Sequence, residues 1–369
     1  MNVLQLTSHV EVGGISTHVA TLAERLIARG HRVTVASADG LLRSRLQRAG
    51  AVHWNLPLHT SADASPPVAW AWWQLHRRLA ATPVDLIHAH TRVAQVIAEG
   101  LWRSRKIPYV TTWHGFYRRR LGRRWWPCTG KRTIAISQEV ARHLHDVFRV
   151  PADRIRLIYH GIDVEHFATP PRIADLQACR SRWPSMQRHV IGCVGRLASG
   201  GVKGFDLLLH AVHQLRARFP NTELILVGDG PRRGFLEQEA ARLGIQDRVH
   251  FVGAMEDVRV PLTLMDVFVF ASRWPEAFGL SLIEAMAVGR PVVATRRGAV
   301  PEIIEHGRHG WLVPPEDPVA LADAISRLLQ DPALAAELGR RARQRVREKF
   351  HVDRMVDEVE AVYREVLDR

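Results

Sequence analysis

Short runs of buried-type residues alternate along the chain with stretches whose apolar positions recur every three or four residues. The runs fall at 3–7, 32–37, 84–89, 109–112, 133–136 and 155–158, and again at 190–194, 223–227, 249–252, 267–271 and 291–295. Each is apolar and too short for a helix, so the pattern predicts strands buried on both faces. Between the first two, Ile15, Val19, Leu22 and Leu26 keep helical spacing, which predicts a helix covering one face of a sheet. Such alternation implies right-handed crossovers and parallel sheets. The stretch 169–189, with Thr169-Pro170-Pro171 and Trp183-Pro184, keeps no period and reads as a connection. The expected division is a domain at 1–168, the connection at 169–189, a second domain at 190–350 and a helix at 351–369. Both domains are expected to be doubly wound α/β units facing each other across a cleft.

Composition narrows this only a little. With 369 residues the chain is long enough for two domains, each with its own core. Its formal charge of +14 calls for an anionic partner: nucleotide phosphates, an acidic membrane surface or nucleic acid. Cys128, Cys179 and Cys193 are too scattered for a disulfide framework or a structural zinc site, which suits a reducing compartment. No basic leader precedes the first apolar run, and no stretch reaches the ~20 apolar residues of a membrane span. The expected location is cytoplasmic.

The sharpest chemical signal is Glu276-Ala277-Phe278-Gly279-Leu280-Ser281-Leu282-Ile283-Glu284, which carries the chain from a strand into a helix. Ligands of open α/β sheets bind at such strand ends, and helix N-termini attract phosphate. Two acids around a phosphate-friendly loop suit a sugar nucleotide, whose hydroxyls need acceptors and whose diphosphate needs amides. The spacing Ser281 to Glu284 equally fits a capping box, which would leave Glu284 a helix cap. A second loop, Gly195-Arg196-Leu197 with Lys203-Gly204, brings two cations to another strand end, where they can neutralise a diphosphate or simply be solvated. Gly13-Gly14, with His18 one turn on, lets backbone approach a phosphate or makes a tight turn. Gly228-Asp229-Gly230-Pro231 is a turn after a strand, and its GxG alone is weak evidence for a nucleotide site. His114 also lies at a strand end, but so do His9, His88, His90 and His160 in a chain of 20 histidines.

Taken together, these motifs resemble the family-four retaining glycosyltransferases of GT-B fold, of the bacterial envelope polysaccharide or lipopolysaccharide type. The resemblance includes Tyr159-His160-Gly161-Ile162-Asp163, Glu284-Ala285-Met286-Ala287-Val288-Gly289-Arg290-Pro291, Gly298, Pro301-Glu302 and Gly310-Trp311-Leu312-Val313-Pro314. It covers nearly the whole chain, in the family's order. It implies two Rossmann-like domains, the first on the acceptor side and the second binding a nucleotide sugar, with the last helix crossing back to the first. It implies that Arg196 and Lys203 hold the donor diphosphate with Gly14 nearby, and that Glu276 and His114 meet the donor sugar. The amides of Phe278, Gly279 and Leu280 would face the phosphates, and Glu284 the ribose. Ala277 stands where the family more often has glycine, and His160 where it has asparagine.

The activity so implied is transfer of a hexose-type sugar from a nucleotide diphosphate sugar, UDP rather than GDP, to a hydroxyl of a glycan or lipid-linked glycan, with retention. No metal or other cofactor is expected, because no DxD-like pair occurs at a plausible place and Arg196 and Lys203 supply the positive charge. A nonhydrolysing sugar-nucleotide epimerase of the same two-domain plan is the alternative. A nucleic-acid-binding protein is a weaker rival, since no RRM, zinc or helix-turn-helix signature accompanies the charge, and no nucleic acid is expected as partner. The segment Arg118-Arg119-Arg120-Leu121-Gly122-Arg123-Arg124-Trp125-Trp126 is the densest basic-aromatic cluster, and Trp70, Trp72 and Trp73 precede Arg77-Arg78. Cations with interfacial tryptophans suit an anionic membrane surface, here the inner face of the plasma membrane; a solvated loop with core tryptophans fits equally.

Overall fold

The structure, a computed structural model, describes residues 1–368 apart from 61, 64, 119, 120, 182–188 and 256. It divides into two units: Met1–Gly161 with Val352–Arg369, and Ile162–His351. In the first, strands β1 (Asn2–His9), β2 (Arg32–Ala38), β3 (Val52–Asn55), β4 (Leu86–Ala89), β5 (Tyr109–Trp113), β6 (Arg132–Ala135) and β7 (Ile155–Leu157) form one sheet. Its order is β3-β2-β1-β4-β5-β6-β7, and every pairing is parallel. In the second, β8 (His189–Val194), β9 (Thr222–Val227), β10 (Val249–Gly253), β11 (Val267–Phe270), β12 (Val292–Thr295) and β13 (Trp311–Val313) form a parallel sheet ordered β10-β9-β8-β11-β12-β13. Each order reverses direction once, at β1/β4 and at β8/β11. Loops leaving those neighbours diverge and open a crevice at the strands' C-terminal ends.

The apolar runs become strands because helices cover both faces of each sheet. In the first unit the helix Gly14–Ala28 buries Val19, Leu22 and Leu26 on one face, together with Val352, Met355, Val356, Val359, Val362, Tyr363 and Val366 of the last helix. The helices Pro66–Ala81 and Arg92–Arg105 pack on the other face. Each fully buried large apolar side chain stabilises by roughly 1.5–3 kcal/mol, so the last helix is a substantial part of this core. The second unit packs the helices Phe205–Leu215 and Pro318–Gln330 into its core.

Two boundaries and two edge strands differ from the sequence reading. The first unit stops at Gly161 rather than 168. The expected connection 169–189 contains a helix, Ile173–Ser181, and part of it lies outside the described residues. Strands β3 and β13 were not expected; both are sheet edges, β3 with no buried residue and β13 with only three residues. Among the described residues no helix is long and apolar enough to cross a membrane.

Candidate active site

In the second unit, strand β8 runs into a loop that ends at Gly204, and β11 into the loop that carries Glu276. Lys203 Nζ donates to Glu276 Oε1 at 2.6 Å, and Ser272 Oγ lies 2.6 Å from the same oxygen. Lys203 Nζ also stands 5.2 Å from the Phe270 ring centroid. The pair is therefore held at the β8/β11 switch point with limited water around it, the carboxylate side chain being 13% exposed. Glu276 Oε2 accepts no hydrogen bond from the described residues, which leaves one carboxylate oxygen for an incoming hydroxyl.

Two glycines make this approach feasible. Gly204 has φ 63°, and a Cβ there would run into the Ala271 carbonyl, so the two loops could not close on each other. Gly298, at φ 58°, presses its backbone against that of Glu276, whose carbonyl accepts from Ala299 N at 2.8 Å.

Arg196 is exposed and makes no ion pair with any described residue. It lines a small, open hollow with Leu197, Lys203, Phe205, Arg232 and Leu236. Arg232 was missed in the sequence. Its signal was the turn 228–231 after β9, the strand beside β8: Leu197 N donates to Asp229 O at 3.0 Å and Arg232 N to Leu197 O at 3.1 Å. Asp206 pairs with Arg232 at 3.5 Å and with Arg273 at 3.1 Å, tempering both cations.

The helix Leu280–Val288 overturns the capping-box reading. Its N-cap is Gly279, at φ 130° and with no side-chain cap bond, so Ser281 already lies inside the helix. Gly279 O instead accepts from the amides of Leu282 and Ile283. The amides at the start of a helix have no intrahelical partner, and Gly279 and Leu280 stand there; Phe278 is buried. Glu284, one turn in, has no hydrogen-bond partner among the described residues. Burial pushes its carboxyl up to about 7, with the Asp257 charge adding to the effect, although part of the side chain still meets solvent.

The first unit presents a different arrangement at its own switch point. Gly14 opens the first helix, whose N-cap is Gly13. His18 of that helix, His90 after β4, His114 after β5 and His160 after β7 come together. His90 Nδ1 lies 3.2 Å from His114 Nε2, His114 Nδ1 3.4 Å from His160 Nε2, and His160 Nδ1 2.9 Å from His18 Nδ1. His88 bonds Tyr363 OH and Thr112 Oγ1, each at 2.7 Å. Burial lowers His18 to about 4 and holds His88, His90, His114 and His160 well below the usual imidazole range. In the sequence these histidines stand far apart, and nothing local shows that one helix position, one strand position and three strand-end positions converge.

Residues 12–166 match the family described as Glycosyltransferase Family 4, and residues 188–331 match Glycosyl transferases group 1. The chain belongs to the family-four glycosyltransferases. It is a hexosyltransferase. It is 28% identical over 381 residues to N-acetyl-alpha-D-glucosaminyl L-malate synthase of Bacillus anthracis, covering 98% of this chain and 96% of that one. A GDP-mannose-dependent alpha-(1-6)-phosphatidylinositol monomannoside mannosyltransferase of Mycolicibacterium smegmatis is 34% identical over 198 residues, about half of each chain. Among solved structures, HepE of Anabaena in complex with UDP and glucose matches with TM-score 0.84 and 25% identity, covering 98% of both chains. The glycosyltransferase fold thus comprises the two parallel α/β units described above, of the GT-B type.

Of the basic-aromatic segment, Arg119 and Arg120 and the side chains of Leu121 and Arg124 lie outside the described residues. Trp125 and Trp126 are exposed, as are Trp70 and Trp73, which stack at 4.9 Å with Arg77 4.8 Å over Trp73. Trp72 packs against the core instead.

Proposed function

We propose that the chain transfers a hexose from a nucleoside diphosphate sugar, UDP in preference to GDP, to a hydroxyl of a glycan or lipid-linked glycan, with retention. The observation that carries the donor half is the Lys203–Glu276 pair beside the cation-lined hollow. When the anomeric C–O bond breaks, charge collects on the departing phosphate oxygen; Arg196, Lys203 and the amides of Phe278, Gly279 and Leu280 face that charge as a preorganised environment. Glu276, with Oε2 unengaged, accepts from a sugar hydroxyl, and Glu284 accepts from the ribose. The acceptor oxygen bonds to the anomeric carbon, and its proton passes to the departing phosphate. In this reading the leaving group needs no metal. His114 of the first unit acts on the donor sugar as a neutral imidazole, and Gly14 gives close backbone access.

UDP as donor base is supported by HepE, which was solved with UDP and glucose and matches along its whole length, while the GDP-mannose-dependent relative matches over half. The exposed Trp125, Trp126, Trp70 and Trp73 with their arginines support peripheral binding to an anionic membrane on its cytoplasmic face, where a lipid-linked acceptor would be met. Transfer assays with UDP- and GDP-sugars on Glu276→Gln and Arg196→Ala test the donor half. Full activity in both variants would sink it. Flotation with anionic liposomes at low salt tests the membrane half, and absence of binding removes it.

A further inference from the structure

Strand order in the second sheet sets an order of charge along its C-terminal edge. The loops after β9 and β8 carry the cations Arg232, Arg196 and Lys203, the loop after β11 carries Trp274 and the acid Glu276, and the loop after β12 carries Arg296 and Arg297. The last two loops are locked together. Ala299 N donates to Glu276 O at 2.8 Å, Thr295 Oγ1 to Ser272 O at 2.7 Å, and a Cβ on Gly298 would strike the backbone of Pro275 and Glu276. Trp274 is 57% exposed, although its neighbour Arg273 is tied to Asp206 and Glu316. A fixed loop therefore holds an indole in water, forgoing the burial that favours other large apolar side chains. Arg296 is exposed and Arg297 half-buried, and among the described residues neither side chain makes a hydrogen bond or an ion pair. Other arginines of this unit are consumed by structure: Arg290 donates to Met265 O, Arg343 to Val288 O, and Arg345 to Ile303 O and Glu302 O. Glu316, the acid that follows β13, is engaged by Arg273. No bond within the fold accounts for Arg296 and Arg297.

We propose that Trp274, Arg296 and Arg297 bind the acceptor, and that the acceptor sugar they read is acidic, carrying a carboxylate or a phosphate group. This rests on the reading of Glu276 as the acid that meets the donor sugar. The donor's own charge lies in its diphosphate, which Arg196, Lys203 and Arg232 match on one flank of Glu276. Arg296 and Arg297 stand on the other flank, so the anion they match belongs to the second substrate. Guanidinium forks pair with carboxylate and phosphate oxygens through two parallel N–H donors. The indole supplies a flat apolar surface for the C–H face of a sugar ring, and its N–H can serve a hydroxyl. A neutral glycan would use the indole and leave both charges idle. Because the two arginines keep contact with solvent, they give selectivity and salt dependence more than raw affinity.

The test is a ligand-observed NMR titration of the full chain, with and without UDP, using methyl glucoside, methyl glucuronide and methyl glucoside 6-phosphate. At least one acidic glycoside should bind about tenfold tighter than the neutral one at low salt, the scale of one hydrogen bond to a charged group. The tighter of the two names the anion, and the preference should shrink at high salt. The double variant Arg296→Gln/Arg297→Gln should abolish the preference and leave UDP binding unchanged. Arg340→Gln/Arg341→Gln, the same loss of charge on the helix Pro332–Lys349, should keep it. Trp274→Ala should weaken all three glycosides alike, and undiminished binding there overturns the part given to the indole. A wild-type chain that binds neutral and acidic glycosides equally, or binds none, overturns the proposal. So does a preference that survives loss of Arg296 and Arg297, or one that vanishes with Arg340 and Arg341. Failure to bind UDP sinks the donor reading instead, and the titration without UDP still reads the preference.

Discussion

The two sheets reverse direction at equivalent places, β1/β4 and β8/β11, and the chain uses the two crevices in opposite ways. At the second, Lys203 pairs with Glu276 and Arg232 and Arg273 pair with Asp206, while Arg196 is exposed beside them. At the first, five histidines are enclosed until burial removes their charge. The topology supplies the crevice in both cases; the local dielectric decides whether it offers charges or lone pairs. A site for a diphosphate needs the former.

The largest expected effect tests whether the second crevice works through retained charge. Lys203→Ala should lower kcat/KM for transfer by about 10²–10³, the scale of losing one preorganised donor to a developing anion. Its melting temperature should change little, and a loss below tenfold would break the contrast. Next comes a carboxylate whose charge burial suppresses. Because Glu284 is raised to about 7 from 4.5, its contribution is complete below pH 4.5 and is lost as pH rises through 7. Glu284→Gln should therefore gain up to about 3 kcal/mol by urea unfolding at pH 8, and nothing at pH 4.

The first unit treats Glu365 the opposite way. Arg132 and Arg156 grip its carboxylate at 2.6 Å each and lower it to about 2. Its stabilisation is present above pH 4.5 and lost as pH falls through 2. After allowance for solvent screening, Glu365→Gln should cost about 1–2 kcal/mol at pH 7 and nothing near pH 2. The smallest effect is expected of Tyr363→Phe, which leaves His88 Nδ1 without its partner and should cost about 1 kcal/mol. Cost-free substitution there would mean that the cluster's periphery carries no strain from unpaired groups.

The strands at sheet centres were legible because burial on both faces writes an unbroken apolar run, as in Val267-Phe268-Val269-Phe270. Val52-His53-Trp54-Asn55 was not legible, since an exposed edge strand has no such run. At the candidate site, Glu276 and Lys203 were found because both stand where strands end in a loop. Ser272, Arg232 and Asp206 were not, because their parts depend on which strands are neighbours, and strand order is written nowhere locally. Helix onset was misjudged for a similar reason: Gly279, not Ser281, is the N-cap, a choice made by the φ 130° turn that docking of the loop demands.

The last helix, Val352–Leu367, belongs to the unit that the chain began. On a ribosome the two units therefore cannot be finished in the order in which they are started. When Gly161 emerges, the first sheet still lacks seven core side chains from Val352 to Val366, the Tyr363 partner of His88 and the Glu365 anchor of Arg132. The second unit, made of one continuous segment, can complete itself while the first waits with an apolar sheet face uncovered, a state open to aggregation. A chain shortened by this one helix would thus fail at its opposite end.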